Sequence, residues 1–153
     1  MSLARGKLGI WVKMEPKLFV AGKAFIVHEG KVLVIRESPK YKEGTQVGKY
    51  DVIGGRLKPG ENFTESLIRE IKEENGLDVK IGNPFAVNEW RPTVNGEPWQ
   101  IIATFFECTT SNQDVQVKLS DDHDHFKWIS PKDYKDHNVI ENIHHVFESF
   151  NNK

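Results

Sequence analysis

The stretch GRLKPGENFTESLIREIKEENGL, residues 55–77, places turn chemistry directly ahead of a helix. Pro59-Gly60 punctuates the chain. Asn62 is a capping residue, and Glu65 three positions on completes a capping-box pattern. At the far end Asn75-Gly76 supplies a left-handed C-cap, which places Leu77 to fold back on Ile71. A helix is therefore predicted from about Asn62 to Asn75, with Leu67, Ile68 and Ile71 as its apolar stripe.

This helix carries charge where charge is costly. At about 100° per residue, Glu70, Glu73 and Glu74 share an arc beside the apolar stripe. Glu70 repels Glu73 and Glu74 by a few tenths of a kcal/mol each (roughly 0.2–0.5). Glu73 and Glu74 also meet the negative end of the helix dipole, at about 0.3–1 kcal/mol apiece. The sum, about 1–3 kcal/mol, is a noticeable share of a domain's stability. A divalent cation would remove these costs together, and an all-oxygen donor set suits Mg²⁺ or Mn²⁺. The chain has no Cys/His set of zinc-finger spacing. An isolated ExxEE, however, is read more simply as a solvated charged face.

Outward from the helix, KLFVAGKAFIVHEGKVLVIRES gives two strands around a Glu29-Gly30 turn, and PKYKEGTQVGKY gives a polar loop. YDVI leads into Gly54-Gly55. DVKIG and PFAVNEWR read as strands, and TVNGEP supplies an Asn-Gly turn into PWQIIATFFEC. VQVKLS alternates like a further strand. SDDHDH reads as an acidic, histidine-rich loop before FKWIS. Ser130-Pro131 fits an N-cap followed by proline. A last helix is expected over about Val139 to Phe150, with Val139, Ile143, Val146, Phe147 and Phe150 at helical spacing. This order suggests an α+β or α/β fold, an α/β/α sandwich around a mixed sheet.

Composition limits the function classes. The 153 residues make one ordinary domain with a real core. Lysine and arginine number 21 against 22 acids, so no global basic field points to a nucleic-acid polymer or an anionic membrane. Cys108 is the only cysteine. No internal disulfide can form, which favours a cytoplasmic setting. The opening MSLARGKLGIWVKMEPK lacks a signal-like apolar run, and no stretch approaches a membrane span.

The longer pattern decides what the acidic trio alone does not. Gly55, Glu61, Arg69, Glu70, Ile71, Glu73, Glu74, Gly76 and Leu77 fall at the spacing of a glycine, five residues, Glu, seven residues, then Arg-Glu-aliphatic-x-Glu-Glu-x-Gly-aliphatic. With no fixed position missing, a chance match is on the order of one in 10⁸ per window. The chain thus resembles the Nudix hydrolase family. The resemblance spans about residues 17–150 and leaves 1–16 as an N-terminal extension. It implies a Nudix-type fold and Mg²⁺- or Mn²⁺-dependent hydrolysis of a nucleoside diphosphate linked to another group. By resemblance, Glu70, Glu73 and Glu74 hold the metal with a backbone carbonyl of Gly54 or Gly55. Glu70 is the first choice of base, and Arg69 with Glu61 fixes the glutamate rotamers. Small members of this family often form homodimers.

The substrate is left open by the sequence. The classes are a (d)NTP, ADP-ribose or a nucleotide sugar, and other diphosphates. By resemblance, Pro92, 16 residues after Gly76, is a mark of ADP-ribose-cleaving members, yet RPTVNGEP is also explained as a hairpin turn, and a (d)NTP stays the first substrate class. Arg36, Arg56 and Trp90 are candidate substrate contacts; Lys49, Lys58 and Trp99 are further ones. The Asp121–His125 loop offers a further ligand or base, although Asp122 and His125 stand where glutamates are expected. A non-catalytic nucleotide sensor would lose box residues, and this box is intact. Isoprenoid-diphosphate isomerisation would require a reactive cysteine, and Cys108 lies in an apolar strand.

Overall fold

A computed structural model describes residues 3–6, 8–9, 11–111 and 115–153. Residues 1, 2, 7 and 10 of the expected extension lie outside the described residues. Around them β1 (Leu3–Arg5) pairs antiparallel with β2 (Trp11–Lys13), separate from the main sheet.

The main sheet is organised by β3 (Lys17–His28) and β9 (Glu97–Thr110), which run parallel from Lys17↔Trp99 to Val27↔Thr109. Its order is β10 (His123–Ile129), β4 (Lys31–Glu37), β3, β9 and β7 (Val79–Trp90). Every other pairing between its named strands is antiparallel, so the sheet is mixed. Short strands complete it: β5 (Tyr50–Asp51) on β4, β6 (Ile53–Arg56) on β3, and β8 (Thr93–Val94) on β9. Both predicted hairpin turns form. Glu29-Gly30 and Asn95-Gly96 have all four residues at positive φ, between 48° and 81°, the conformation that tight two-residue turns demand.

Alternation along β3 and β4 divides the core in two. Phe25, Val32 and Val34 face one side, where Ile143, Val146 and Phe147 cover them. Ile26, Leu33 and Ile35 face the other, under Leu67, Ile71 and Leu77. Helices on opposite faces of one sheet follow from this period of two. Helix α1 (Phe63–Asn75) begins as expected, with Asn62 Oδ1 accepting the Glu65 N–H at 3.1 Å. It ends at Gly76, φ 71°. No described helix is long and apolar enough to cross a membrane.

Five local expectations need correction. VQVKLS forms no strand. Its apolar residues Val115, Val117 and Leu119 still pack on the core, but its backbone is tied to the end of α1: Lys118 N–H donates to the Asn75 carbonyl and Asn75 Nδ2 to the Lys118 carbonyl. DVKIG and PFAVNEWR are one strand, β7, broken in register near Pro84, which cannot donate to the ladder. The SDDHDH loop is shorter than expected, since β10 starts at His123. The last helix starts late. Tyr50 exchanges backbone hydrogen bonds with Asn138 and Ile140, so helix α2 covers only His144–Asn151, after a 3₁₀ turn at Glu141–Ile143. Within α1, Ile68 is exposed rather than core.

Candidate active site

Glycines on β3 and β6 bring α1 to the sheet. Strand β6 pairs with β3 through Gly55↔Gly22 and Gly54↔Lys23. A Cβ at Gly22 would lie 3.2 Å from the Phe63 ring, so the bare backbone there lets the first turn of α1 close on β3. A Cβ at Gly55 would stand 1.1 Å from Glu70 Oε2. Residue 55 can therefore only be glycine while Glu70 keeps this place, because its carboxylate fills the space a side chain would take.

Glu70 and Glu74, one helical turn apart, both line a cleft that also includes Gly54, Gly55, Lys23, Asp51 and Asp122. The Glu70 side chain is 18% exposed. Burial raises its carboxyl above the usual range, while neighbouring Arg69 opposes the shift. Glu74 is pushed up to about 7, first by burial, then by the negative charges of Glu70 and Asp122, with Lys23 opposing. A carboxyl crowded by like charge and partly desolvated is short of positive partners.

The outer flank of α1 differs. Arg69 Nη2 donates to Glu61 Oε2 at 2.9 Å, and Arg69 Nη1 donates to Glu73 Oε2 at 3.1 Å. Glu61 also accepts the Lys58 N–H at 3.0 Å. The hydrogen bond from Arg69, then that from Lys58, hold its carboxyl below the usual range. Glu73 is 62% exposed and lies among Glu65, Ile68, Arg69, Lys72 and Asp78, outside the cleft that holds Glu70 and Glu74. Among the described residues, no three His, Cys, Asp or Glu side chains already converge as a ligand set.

Other predicted residues divide similarly. Arg56, Lys49, Lys58, Trp90 and Trp99 line the cleft. The Arg56 guanidinium lies over the rings of Phe19 and Trp99, at 4.7 and 4.8 Å, and pairs with Glu43 at 3.1 Å. Arg36 is not part of this lining; it binds Asp124 at 2.7 Å. His125 is hydrogen bonded to the Tyr50 hydroxyl at 2.7 Å. Two buried polar atoms of cleft-lining residues, Trp99 Nε1 and Asn142 Oδ1, have no hydrogen-bond partner.

Sequence reasoning missed Lys23, Asp51 and Glu37, all of which line the cleft. Glu37 is raised by burial, and Lys23 Nζ binds Asp51 Oδ2 at 2.9 Å. A signal for Lys23 did exist: a lysine inside the apolar run FVAGKAFIV has to find a partner.

The donor set fits a hard divalent cation. Glu70, packed against Gly55, and Glu74 in the same cleft offer carboxylate oxygens, and Glu74 is lifted by burial and by the like charges of Glu70 and Asp122.

These features define a mixed-sheet α/β/α sandwich with an acidic cleft between one helix and a glycine-rich strand. A NUDIX domain model matches residues 19–150. The chain belongs to the Nudix hydrolase family. The MutT protein from Methanosarcina mazei Go1 aligns with a TM-score of 0.78 at 27% identity, over 92% of this chain and 97% of that one. The nucleoside triphosphatase NudI of Escherichia coli O81 (strain ED1a) is 29% identical over 97 residues, 59% of this chain and 67% of that protein. An octanoyltransferase of Myxococcus xanthus is 29% identical over 106 residues, 66% of this chain, and the chain spans only 27% of that relative's length.

Proposed function

We propose that this chain hydrolyses the diphosphate linkage of a nucleoside diphosphate derivative, with nucleoside triphosphates as the first substrate class and Mg²⁺ or Mn²⁺ as cofactor. One observation carries the reading: Glu70 packs against Gly55 and shares one cleft with Glu74, which burial and then the negative charges of Glu70 and Asp122 push up to about 7. Similarity to the nucleoside triphosphatase NudI supports the substrate class.

Glu70 and Glu74, with a β6 glycine carbonyl, would hold the metal, and Glu73 would join them on leaving Arg69. When bound, the metal would neutralise the diphosphate and stabilise charge on the departing phosphate oxygen. The protein's own part is positioning and proton transfer. Arg69, held by Glu61, fixes the outer edge of the helix and so the direction in which Glu70 projects. Glu70 Oε2, or Asp122 across the cleft, would take the proton of the attacking water. Lys49, Lys58 and Arg56 line the approach and would meet phosphate oxygens. The aromatic end of the cleft, with Trp90 and the unpartnered Trp99 Nε1 and Asn142 Oδ1, suits a flat polar heterocycle.

The test is a panel of (d)NTPs, ADP-ribose and nucleotide sugars with Mg²⁺ and with Mn²⁺, followed by product identification. Cleavage of an NTP to a monophosphate and pyrophosphate, lost in Glu74→Gln, is expected. Preference for ADP-ribose would move the substrate assignment. Nucleotide binding with no turnover of any panel member would overturn the enzymatic reading.

A further inference from the structure

The proposed site contains a cation of its own. Lys23 comes from the middle of β3, directly opposite Gly54 in the β3–β6 ladder. Its stem crosses that glycine, since a Cβ on residue 54 would stand 2.4 Å from Lys23 Cδ. The absence of a side chain at Gly54 is thus what lets the lysine through. Its ammonium ends 2.9 Å from Asp51 Oδ2, with the side chain only 11% exposed. Asp51 is itself held, its Oδ1 accepting the Val52 N–H at 2.7 Å. The lysine is therefore a fixed point charge, not a mobile surface arm, and it shares the cleft with Glu37, Glu70, Glu74 and Asp122.

Such a charge acts in opposite directions on the two partners the site is proposed to take. It repels a divalent cation at Glu70 and Glu74, and it attracts the diphosphate that the cation would accompany. With one ammonium among several carboxylates in a partly desolvated cleft, neither effect is fully screened. We propose that Lys23 is a resident counter-cation that weakens divalent-metal binding to the nucleotide-free cleft and strengthens nucleotide binding once the metal is present, so that the two are taken up together. This rests on the metal-and-diphosphate reading above. It makes Lys23 a positioning and selectivity residue and assigns it no part in bond breaking.

The experiment measures binding, not turnover. Metal-stripped protein is titrated with Mn²⁺ by electron paramagnetic resonance, alone and with α,β-methylene ADP. Lys23→Met should bind Mn²⁺ alone about tenfold tighter than wild type, and its Mn²⁺-loaded form should bind the nucleotide about tenfold more weakly. Lys23→Arg, which keeps the charge, should stay near wild type. Lys23→Met/Asp51→Asn, which removes a balanced pair, should return most of the way in the Mn²⁺-alone titration. If Lys23→Met does not fold, Lys23→Gln carries the same expectation, with circular dichroism as the check. Unchanged Mn²⁺ affinity in a folded, charge-removed variant would overturn the inference, as would an Arg variant that behaves like Met. Wild type that takes up no Mn²⁺ even with the nucleotide would instead overturn the hydrolase reading itself.

Discussion

The two flanks of α1 carry the same residue type under different physics. On the outer flank, Glu61 and Glu73 clasp Arg69, and each acid has a cation within 3.1 Å. On the inner flank, Glu70 presses against Gly55 and shares a cleft with Glu74; burial raises both carboxyls, and the charges of Glu70 and Asp122 raise Glu74 further. Three glutamates of one motif thus divide into two whose burial outweighs the nearby cations, Arg69 at 3.9 Å from Glu70 among them, and one that is exposed and paired with Arg69 at 3.1 Å. Local satisfaction marks structure, and local dissatisfaction marks the place where a ligand would repay the cost.

Substitutions on the inner flank should have the largest effect. Glu70→Gln or Glu74→Gln should each lower turnover by about a thousandfold while circular dichroism shows the fold intact. Glu73→Gln sharpens the contrast, with an expected loss of about ten- to a hundredfold, because Glu73 must first leave Arg69. Equal losses at Glu73 and Glu74 would erase the distinction between the flanks.

Gly55→Ala breaks the contrast from the sheet side. The new methyl and the Glu70 carboxylate cannot share one space. The helix must shift or the carboxylate must turn away, at about 1–3 kcal/mol of stability, read as a lowered Tm, with activity lost as well.

The inner flank also sets a pH dependence. Glu74 titrates near 7 when folded, above its unfolded value of about 4.5. The folded state thus holds this proton more tightly than the unfolded chain does. The resulting stability is fully present below about pH 4.5 and is lost as pH rises through about 7. In chelator, Tm should fall by about 3–6 °C across that window from this group, and Glu74→Gln should remove most of that slope. Asn62→Ala, which touches neither flank, should cost about 1 kcal/mol through loss of the cap, with kcat little changed.

Much of this was legible in the sequence where chemistry is local. The cap at Asn62, the stop at Gly76 and the turns at Glu29-Gly30 and Asn95-Gly96 each follow from the conformations those residues favour. What depended on distant partners was not legible. Alternation in VQVKLS promised a strand, but the segment bonds to the end of α1 instead. Spacing put Glu73 and Glu74 in one arc, and only the docking of β6 against α1 separates them. The apolar run around Lys23 signals that it needs a partner, but nothing local names that partner as Asp51, 28 residues away.

The most direct test concerns the seat of the cation. Mn²⁺ uptake, followed by electron paramagnetic resonance in the presence of α,β-methylene ADP, should be strong in the wild type and in Arg69→Ala. It should be abolished in the Glu70→Gln/Glu74→Gln double variant. A double variant that still takes up Mn²⁺ as tightly as the wild type would show that the inner flank is not where the metal sits.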